Sequence, residues 1–221
     1  MEKLVSFDEM MKPEGRHRAV YSHIQKWLNE APREVLASRR AQAEMMFRRI
    51  GITFAVYGDK EASERLIPFD LIPRMISRSE WNRLERGLIQ RVQALNLFLT
   101  DIYNQQDILK AGIIPADIVL ANPHYRPLMS GWHVPHDIYV HIAGIDIVRL
   151  DAADFYVLED NVRTPSGVSY MLENREVMMR LLPELYAQHH VAPVENYTDS
   201  LLASLRSIVP HKSRQDGNIV V

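Results

Sequence analysis

Apolar residues recur every three or four positions along most of this chain, a spacing typical of helices with one buried face. The longest such segment runs from Ser77 to Leu109, and Ser77 or Ser79 is its predicted N-cap. Its apolar stripe consists of Trp81, Leu84, Leu88, Val92, Leu95, Leu99 and Ile102. Shorter helices are predicted at 17–30, 33–50, 115–122, 169–185 and 196–210.

Strand-like segments interrupt the helices and are rich in β-branched and aromatic residues. One is predicted at 51–59, a Pro-interrupted extended segment follows at 65–76, and a β-hairpin is predicted from 137–150 and 155–161. The chain ends in GNIVV, which is typical of the first part of another strand. We therefore predict a helix-rich α+β fold with a mixed or antiparallel sheet.

Four regions follow along the chain. Residues 1–50 are a helical region, 51–130 a mixed strand and helix region, and 131–210 the hairpin with its following helices. Residues 211–221 are expected to begin a further region that this sequence truncates. The strand-like ending is the reason for that expectation.

Composition narrows the function classes. Hydrophobic residues make up 47% and charged residues 24%, and the net charge is −2. This balance is ordinary for a globular protein and argues against binding to nucleic acid or to an anionic membrane. There is no cysteine, which excludes disulfides, thiol nucleophiles and cysteine-bound zinc. No signal-peptide pattern and no run of ~20 apolar residues is present, so a cytoplasmic protein is expected.

The predicted hairpin brings two acids together. With a four-residue loop at 151–154, Leu150 pairs with Phe155, and the register then places Asp146 directly opposite Glu159. Directly opposed side chains lie on one face about 5 Å apart, so the two carboxylates repel each other. Such a pair is not selected for stability, whereas a divalent cation would turn its repulsion into attraction.

Further residues complete this predicted site. Asn161 falls on the same face opposite Gly144, which is expected to leave room for a ligand, while Asp160 points the other way. An apolar floor is expected from Leu150, Phe155, Val157 and Val148. The set of oxygen ligands suits Mg²⁺.

An anion site is predicted next to the metal site. Arg163 follows the strand, and Ser166 and Gly167 lead into a predicted helix. Backbone N–H groups at the start of a helix, with an arginine nearby, form an anion site. Two ordinary interpretations stay open: Asp-Asn and Pro-Ser-Gly also form common turns, and a one-residue slip in register would separate the acids. A zinc site from His133, His136 and His141 is a weaker possibility, because His141 alternates away from Asp146.

These residues resemble a known family. The segments GIDIVR and FYVLEDNVRTPSGVSYMLENR resemble the magnesium-binding end of the circularly permuted type 2 ATP-grasp family, whose relatives include glutathionylspermidine synthetase. Similar stretches are FDEM (7–10), GITFAVYGD (51–59), ERLIPFDLIPR (64–74), EWNRLERGLIQRVQALNLFLTDIY (80–103) and LENR (172–175). The resemblance covers nearly the whole chain.

The resemblance implies an ATP- and Mg²⁺-dependent ligase that joins a small-molecule carboxylate to an amine through an acyl-phosphate. It implies that Asp146, Glu159 and Asn161 bind Mg²⁺, and that Arg163 and Arg149 stabilise the transferring phosphoryl group. Ser166 and Gly167 would contact phosphate or substrate through backbone N–H groups.

The adenine-binding part of such a fold is expected after residue 221. The chain would then be an N-terminal portion that works only with the C-terminal half of the same protein or with a complementing chain. The alternative is a non-catalytic binding module, a truncated or split product that keeps the fold for partner contacts.

Overall fold

The computed structural model describes residues 7–51, 53–55, 64–151, 154–209 and 218–219. Its helices are α1 (Ser22–Glu30), α2 (Arg33–Ile50), α3 (Arg78–Tyr103), α4 (Asp107–Lys110), α5 (Ala116–Leu120), α6 (Val168–Leu181), α7 (Pro183–Gln188) and α8 (Tyr197–Ser207). Its strands are β1 (Thr53–Ala55), β2 (Glu64–Leu66), β3 (Gly144–Arg149) and β4 (Phe155–Asn161). Within the described residues they form two antiparallel pairs, β1 with β2 and β3 with β4. This helix-rich α+β architecture confirms the predicted fold class.

Local signals explain where the helices stop. Helix α2 ends as predicted at Gly51, which has a φ of 79° and donates its N–H to the carbonyl of Phe47 at 3.0 Å. Helix α3 begins just after Ser77 and is shorter than predicted. Its continuation breaks at Gln106, which has a φ of 59°. The carboxylate of Asp101 then accepts hydrogen bonds from the backbone N–H groups of Asp107 and Ile108, so α4 begins as a separate helix.

Two compact units make up the chain, and each combines segments that are distant in sequence. Unit 1 contains residues 1–78, 150–154 and 166–195, and unit 2 contains 79–149, 155–165 and 196–221. This division does not follow the four regions predicted from the sequence. The predicted strand at the C-terminus lies largely outside the described residues, which include only Asn218 and Ile219 of it.

Unit 1 is built around an apolar cluster to which α1, α2, α6 and α7 each contribute one face. Phe47 and Ile24 are 1% exposed, and Leu182 is fully buried. The other buried members are Tyr21, Ala43, Leu71, Val177, Met178, Leu181 and Leu185. Burying a side chain of this size contributes about 1.5–3 kcal/mol, so this cluster is the main source of stability in the unit.

A polar group closes one side of this core. The carboxylate of Glu184 accepts a hydrogen bond from the indole N–H of Trp27 at 2.8 Å and another from the guanidinium of Arg39. Arg39 also lies over the Trp27 ring, 5.3 Å from its centroid. Burial alone would raise the pKa of Glu184, but its hydrogen bonds and the charge of Arg39 hold that pKa below the ordinary value of 4.5.

We expect the stabilising effect of Glu184 to depend on pH. A carboxyl whose folded-state pKa is depressed stabilises the fold above pH 4.5, and this stabilisation is lost as the pH falls through its lower, folded-state pKa. The free energy of urea unfolding should therefore differ between wild type and Glu184→Gln more at neutral pH than at about pH 3. Glu44→Gln, at an exposed position of α2, is the control. An equal difference at both pH values would contradict the expectation.

Unit 2 is organised by α3. Of its predicted apolar stripe, Leu84 and Ile102 are buried and most of the rest is half-buried, whereas Trp81 is 45% exposed. At the end of the helix the ring of Tyr103 stacks on Tyr125, with centroids 4.9 Å apart, and on Tyr139 at 5.8 Å. These contacts hold the loop that leads to β3 against the end of α3.

Candidate functional site

The hairpin of β3 and β4 places the two predicted acids in register. Asp146 pairs with Glu159 and Gly144 pairs with Asn161, as the sequence predicts. Closer to the loop the predicted register is wrong by one residue, because Arg149 rather than Leu150 pairs with Phe155. Near the loop, β4 is therefore paired one residue away from the predicted register. From Glu159 onwards the observed and predicted registers agree.

A β-bulge explains the change of phase. The register shifts between Asp146 and Ile147, and Leu158 is the extra residue on β4. The bulge turns Phe155 and Val157 to the face opposite the acids and leaves Leu158 69% exposed. The predicted apolar floor is therefore wrong in these two residues. Residues 155–158 (FYVL) are all apolar or aromatic, so they show no alternation of apolar and polar positions. The sequence therefore contains no signal for this shift in register.

The acid face of the hairpin is exposed and carries only oxygen-rich side chains near its end. Asp146, Glu159 and Asn161 are all exposed, and the amide nitrogen of Asn161 donates to a carboxylate oxygen of Glu159 at 2.9 Å. This hydrogen bond uses the nitrogen of Asn161 and leaves its amide oxygen available. Two carboxylates and one amide oxygen form a donor set that Mg²⁺ prefers, so these residues fit the ion that the resemblance implies.

Gly144 serves a different purpose from the one predicted. A Cβ at this position would lie 2.7 Å from the Cβ of Pro165 and 3.7 Å from that of Asn161. The space beside Gly144 is therefore occupied by the Pro165 ring and is not left open for a ligand. The glycine allows Pro165 to pack against the strand next to Asn161, which helps to fix the end of the hairpin.

The opposite face of the hairpin is attached to α3 by two ion pairs. The guanidinium of Arg91 donates to both carboxylate oxygens of Asp160, at 2.7 and 2.6 Å. The guanidinium of Arg149 donates to Glu80 at 2.5 Å, and its side chain is 1% exposed. The hydrogen bond from Arg91 holds the pKa of Asp160 below its ordinary value.

Arg149 was predicted to stabilise the transferring phosphoryl group, which requires it to lie on the acid face. It lies on the face opposite Asp146, pairs with Glu80 and packs 4.9 Å from the centroid of the Phe155 ring. A guanidinium buried there anchors β3 and cannot meet a phosphate on the acid face. Arg149 is therefore not among the residues of the acid face.

The remaining predicted site residues lie beyond β4. Arg163 is exposed and belongs to unit 2 with the acids, and the ion pairs formed by the described residues do not include it. Ser166 and Gly167 belong to unit 1, where Gly167 has a φ of 91° and directly precedes α6. Their contact with phosphate stays a prediction.

Two further features are not found in the described part of the chain: a metal site made of three or more histidine or acidic side chains, and a membrane-spanning helix. Among the described residues, three or more histidine, aspartate or glutamate side chains do not come together in a way that could hold a metal ion. The described helices also include none that is long and apolar enough to cross a membrane.

Comparison with known proteins adds the family. The model of a circularly permuted ATP-grasp matches residues 73–221, which include the whole hairpin and both ion pairs to α3. The chain belongs to the circularly permuted ATP-grasp family. The resemblance seen in the sequence is thereby confirmed at the level of the family, but a likeness to glutathionylspermidine synthetase in particular is not shown.

Several longer relatives of this ATP-grasp chain match almost all of it. An uncharacterized protein of Synechocystis is 40% identical over 204 residues, which is 92% of this chain and 42% of that protein. An uncharacterized protein of Mycobacterium leprae is 43% identical over 203 residues, 92% of this chain and 36% of its own length. The chain thus spans about two fifths of the length of each of these relatives.

A third relative of this chain carries a functional name. The Frankia casuarinae protein named "Putative glutamate--cysteine ligase 2-2" is 35% identical over 216 residues, 97% of this chain but 25% of that protein. The matched part is a quarter of that protein, so its name does not by itself describe the present chain.

Proposed function

We propose that this chain carries the magnesium-binding part of an ATP-dependent ligase that joins a carboxylate to an amine. One observation carries the proposal: Asp146 lies directly opposite Glu159 on an exposed hairpin face, with Asn161 in contact with Glu159. Like charges placed opposite each other in a sheet are destabilising, so this arrangement has to be explained by something other than folding. Membership of an ATP-grasp family supports a ligase as that explanation.

The acids and the amide would hold Mg²⁺ together with phosphate oxygens of ATP. The oxygens of Asp146, Glu159 and Asn161 are the protein ligands in this proposal. A bound ion would supply positive charge that offsets the negative charge of the phosphates. The hairpin contributes by bringing its ligand oxygens together on one face.

Arg163 is the proposed partner of the transferring phosphoryl group. It is exposed, lies two residues after the end of β4 and carries a charge that the described ion pairs do not use. A guanidinium can donate two parallel hydrogen bonds to phosphate oxygens, which would favour the charge that develops during transfer.

The proposed reaction has two steps. An oxygen of the substrate carboxylate attacks the γ-phosphorus, the bond from that phosphorus to the β,γ-bridging oxygen breaks, and ADP leaves. The amine nitrogen then attacks the carbonyl carbon of the acyl-phosphate, phosphate leaves with the electrons of the broken C–O bond, and the nitrogen loses a proton. The product is an amide, and the first step gives the enzyme a detectable intermediate.

Trapping that intermediate tests the proposal. This chain, together with the C-terminal half or complementing chain that the sequence predicts, is incubated with Mg·ATP, hydroxylamine and a panel of amino acids and dicarboxylic acids. We expect ADP release that depends on a particular acid, together with formation of its hydroxamate. ATP hydrolysis that is the same with and without every acid, and that yields no hydroxamate, would contradict a carboxylate ligase.

A further inference from the structure

A long helix directly supports the metal ligands of the hairpin. Asp160 lies between Glu159 and Asn161 on β4, and its side chain is directed to the opposite face, where Arg91 of α3 binds both of its carboxylate oxygens. Neighbouring strand residues point to opposite faces. Holding Asp160 against α3 therefore directs both of its neighbours towards the acid face.

The bulge makes this support necessary. It interrupts the ladder of hydrogen bonds between Asp146 and Ile147, so the strand end that carries the ligands is separated from the rest of the hairpin. Beyond the bulge, residues 144–146 of β3 pair with residues 159–161 of β4, which is three residue pairs. A segment this short is poorly fixed by its own pairing, and a one-residue slip would turn every side chain to the other face.

The two ion pairs to α3 fix this register at both ends. Glu80 and Arg91 are 11 residues apart, which is about three helical turns, so both lie on the same side of α3. Glu80 holds Arg149 near the loop, and Arg91 holds Asp160 at the ligand end. The charges are reversed between the two pairs, so that exchanging the partners would bring like charges together.

Exposure indicates that the second pair has a role in orientation. The Arg91 side chain is 44% exposed and that of Asp160 is 17% exposed, and ion pairs in such positions contribute little to stability. Their two-pronged geometry is nevertheless highly directional. An interaction that fixes direction without adding much stability is what a ligand-bearing strand requires.

We propose that Arg91 is a positioning residue that acts through Asp160 to direct Glu159 and Asn161 towards the metal ion. This proposal rests on the proposed function, because it assumes that those two residues are ligands. It assigns to α3 a part in the metal site that lies outside the hairpin itself.

Binding of Mn²⁺, followed by electron paramagnetic resonance in the absence of nucleotide, tests the proposal. We expect Arg91→Gln to weaken Mn²⁺ binding by about 10–100-fold, the range typical of residues that orient metal ligands. Arg91→Lys should weaken it less, since an ammonium cannot form the two-pronged contact. The double variant Arg91→Asp with Asp160→Arg should recover a large part of the affinity. Arg86→Gln is the matched control, because Arg86 is exposed on the same helix and donates to a carbonyl within it.

A second readout separates positioning from general loss of structure. The thermal midpoint of Arg91→Gln should stay close to that of Arg86→Gln, while amide hydrogen exchange should increase at residues 159–161. If Glu159→Gln abolishes Mn²⁺ binding but Arg91→Gln binds like wild type, the positioning role is refuted and the proposed function stands. If Glu159→Gln binds Mn²⁺ as well as wild type, both proposals are overturned.

Discussion

Replacing Asp146 with Asn, or Glu159 with Gln, will lower acid-dependent ADP release by at least about 100-fold. Each change removes one negatively charged oxygen from a site that we propose holds Mg²⁺ with few protein ligands, and an amide oxygen is a much weaker partner for that ion. The effect is measured as the turnover number at saturating Mg·ATP and acid, with the C-terminal half or complementing chain present as in the trapping experiment.

The folded state should survive these two changes. Because the carboxylates of Asp146 and Glu159 lie on one exposed face, removing one of them relieves repulsion, and the free energy of unfolding without metal should rise by a few tenths of a kcal/mol. Asp117→Asn, an exposed position on α5, is the control for loss of a negative charge. Turnover in both variants within a few-fold of the control would refute the metal assignment.

Replacing Phe47 with Ala will destabilise unit 1 more than any surface change. The Phe47 side chain is 1% exposed, and its ring meets that of Phe69 edge to face at a centroid distance of 4.9 Å. Truncation to Ala loses the buried area and leaves a cavity, which together cost about 3–5 kcal/mol. Total stabilities of about 5–15 kcal/mol are usual, so this is a large fraction.

Urea unfolding of matched variants measures this effect. Met45→Ala lies on the same helix at a 52% exposed position and should change the unfolding free energy by no more than about 0.5 kcal/mol. If Phe47→Ala fails to fold, Phe47→Leu retains most of the volume and should show a smaller but measurable loss. Equal stability of Phe47→Leu and Met45→Ala would show that the position is not a core position.

Helix positions were predictable from the sequence because their causes are local. The stripe of α3 and the glycine that ends α2 are both visible in the order of residues. Both features depend on neighbours in sequence. The pairing of Asp146 with Glu159 was predicted correctly because the bulge at Leu158 cancels the one-residue error in the predicted register at the loop.

Features that depend on distant contacts were not predictable. The bulge at Leu158 lies in an apolar run where alternation gives no signal, and it is favoured because it lets Phe155 and Asp160 face the same side. The burial of Arg149 depends on Glu80, a residue of a separate helix. The division into two units likewise comes from segments that meet only in the folded chain.

Pro165 packs against Gly144 in the space that a side chain at position 144 would occupy. A methyl group at position 144 would collide with Pro165. Gly144 can therefore be replaced by a larger residue only after Pro165 has been replaced by a smaller one. The order of the two mutations then matters, since the reverse order passes through a strained hairpin. Among homologues, these two positions should therefore diversify as a pair.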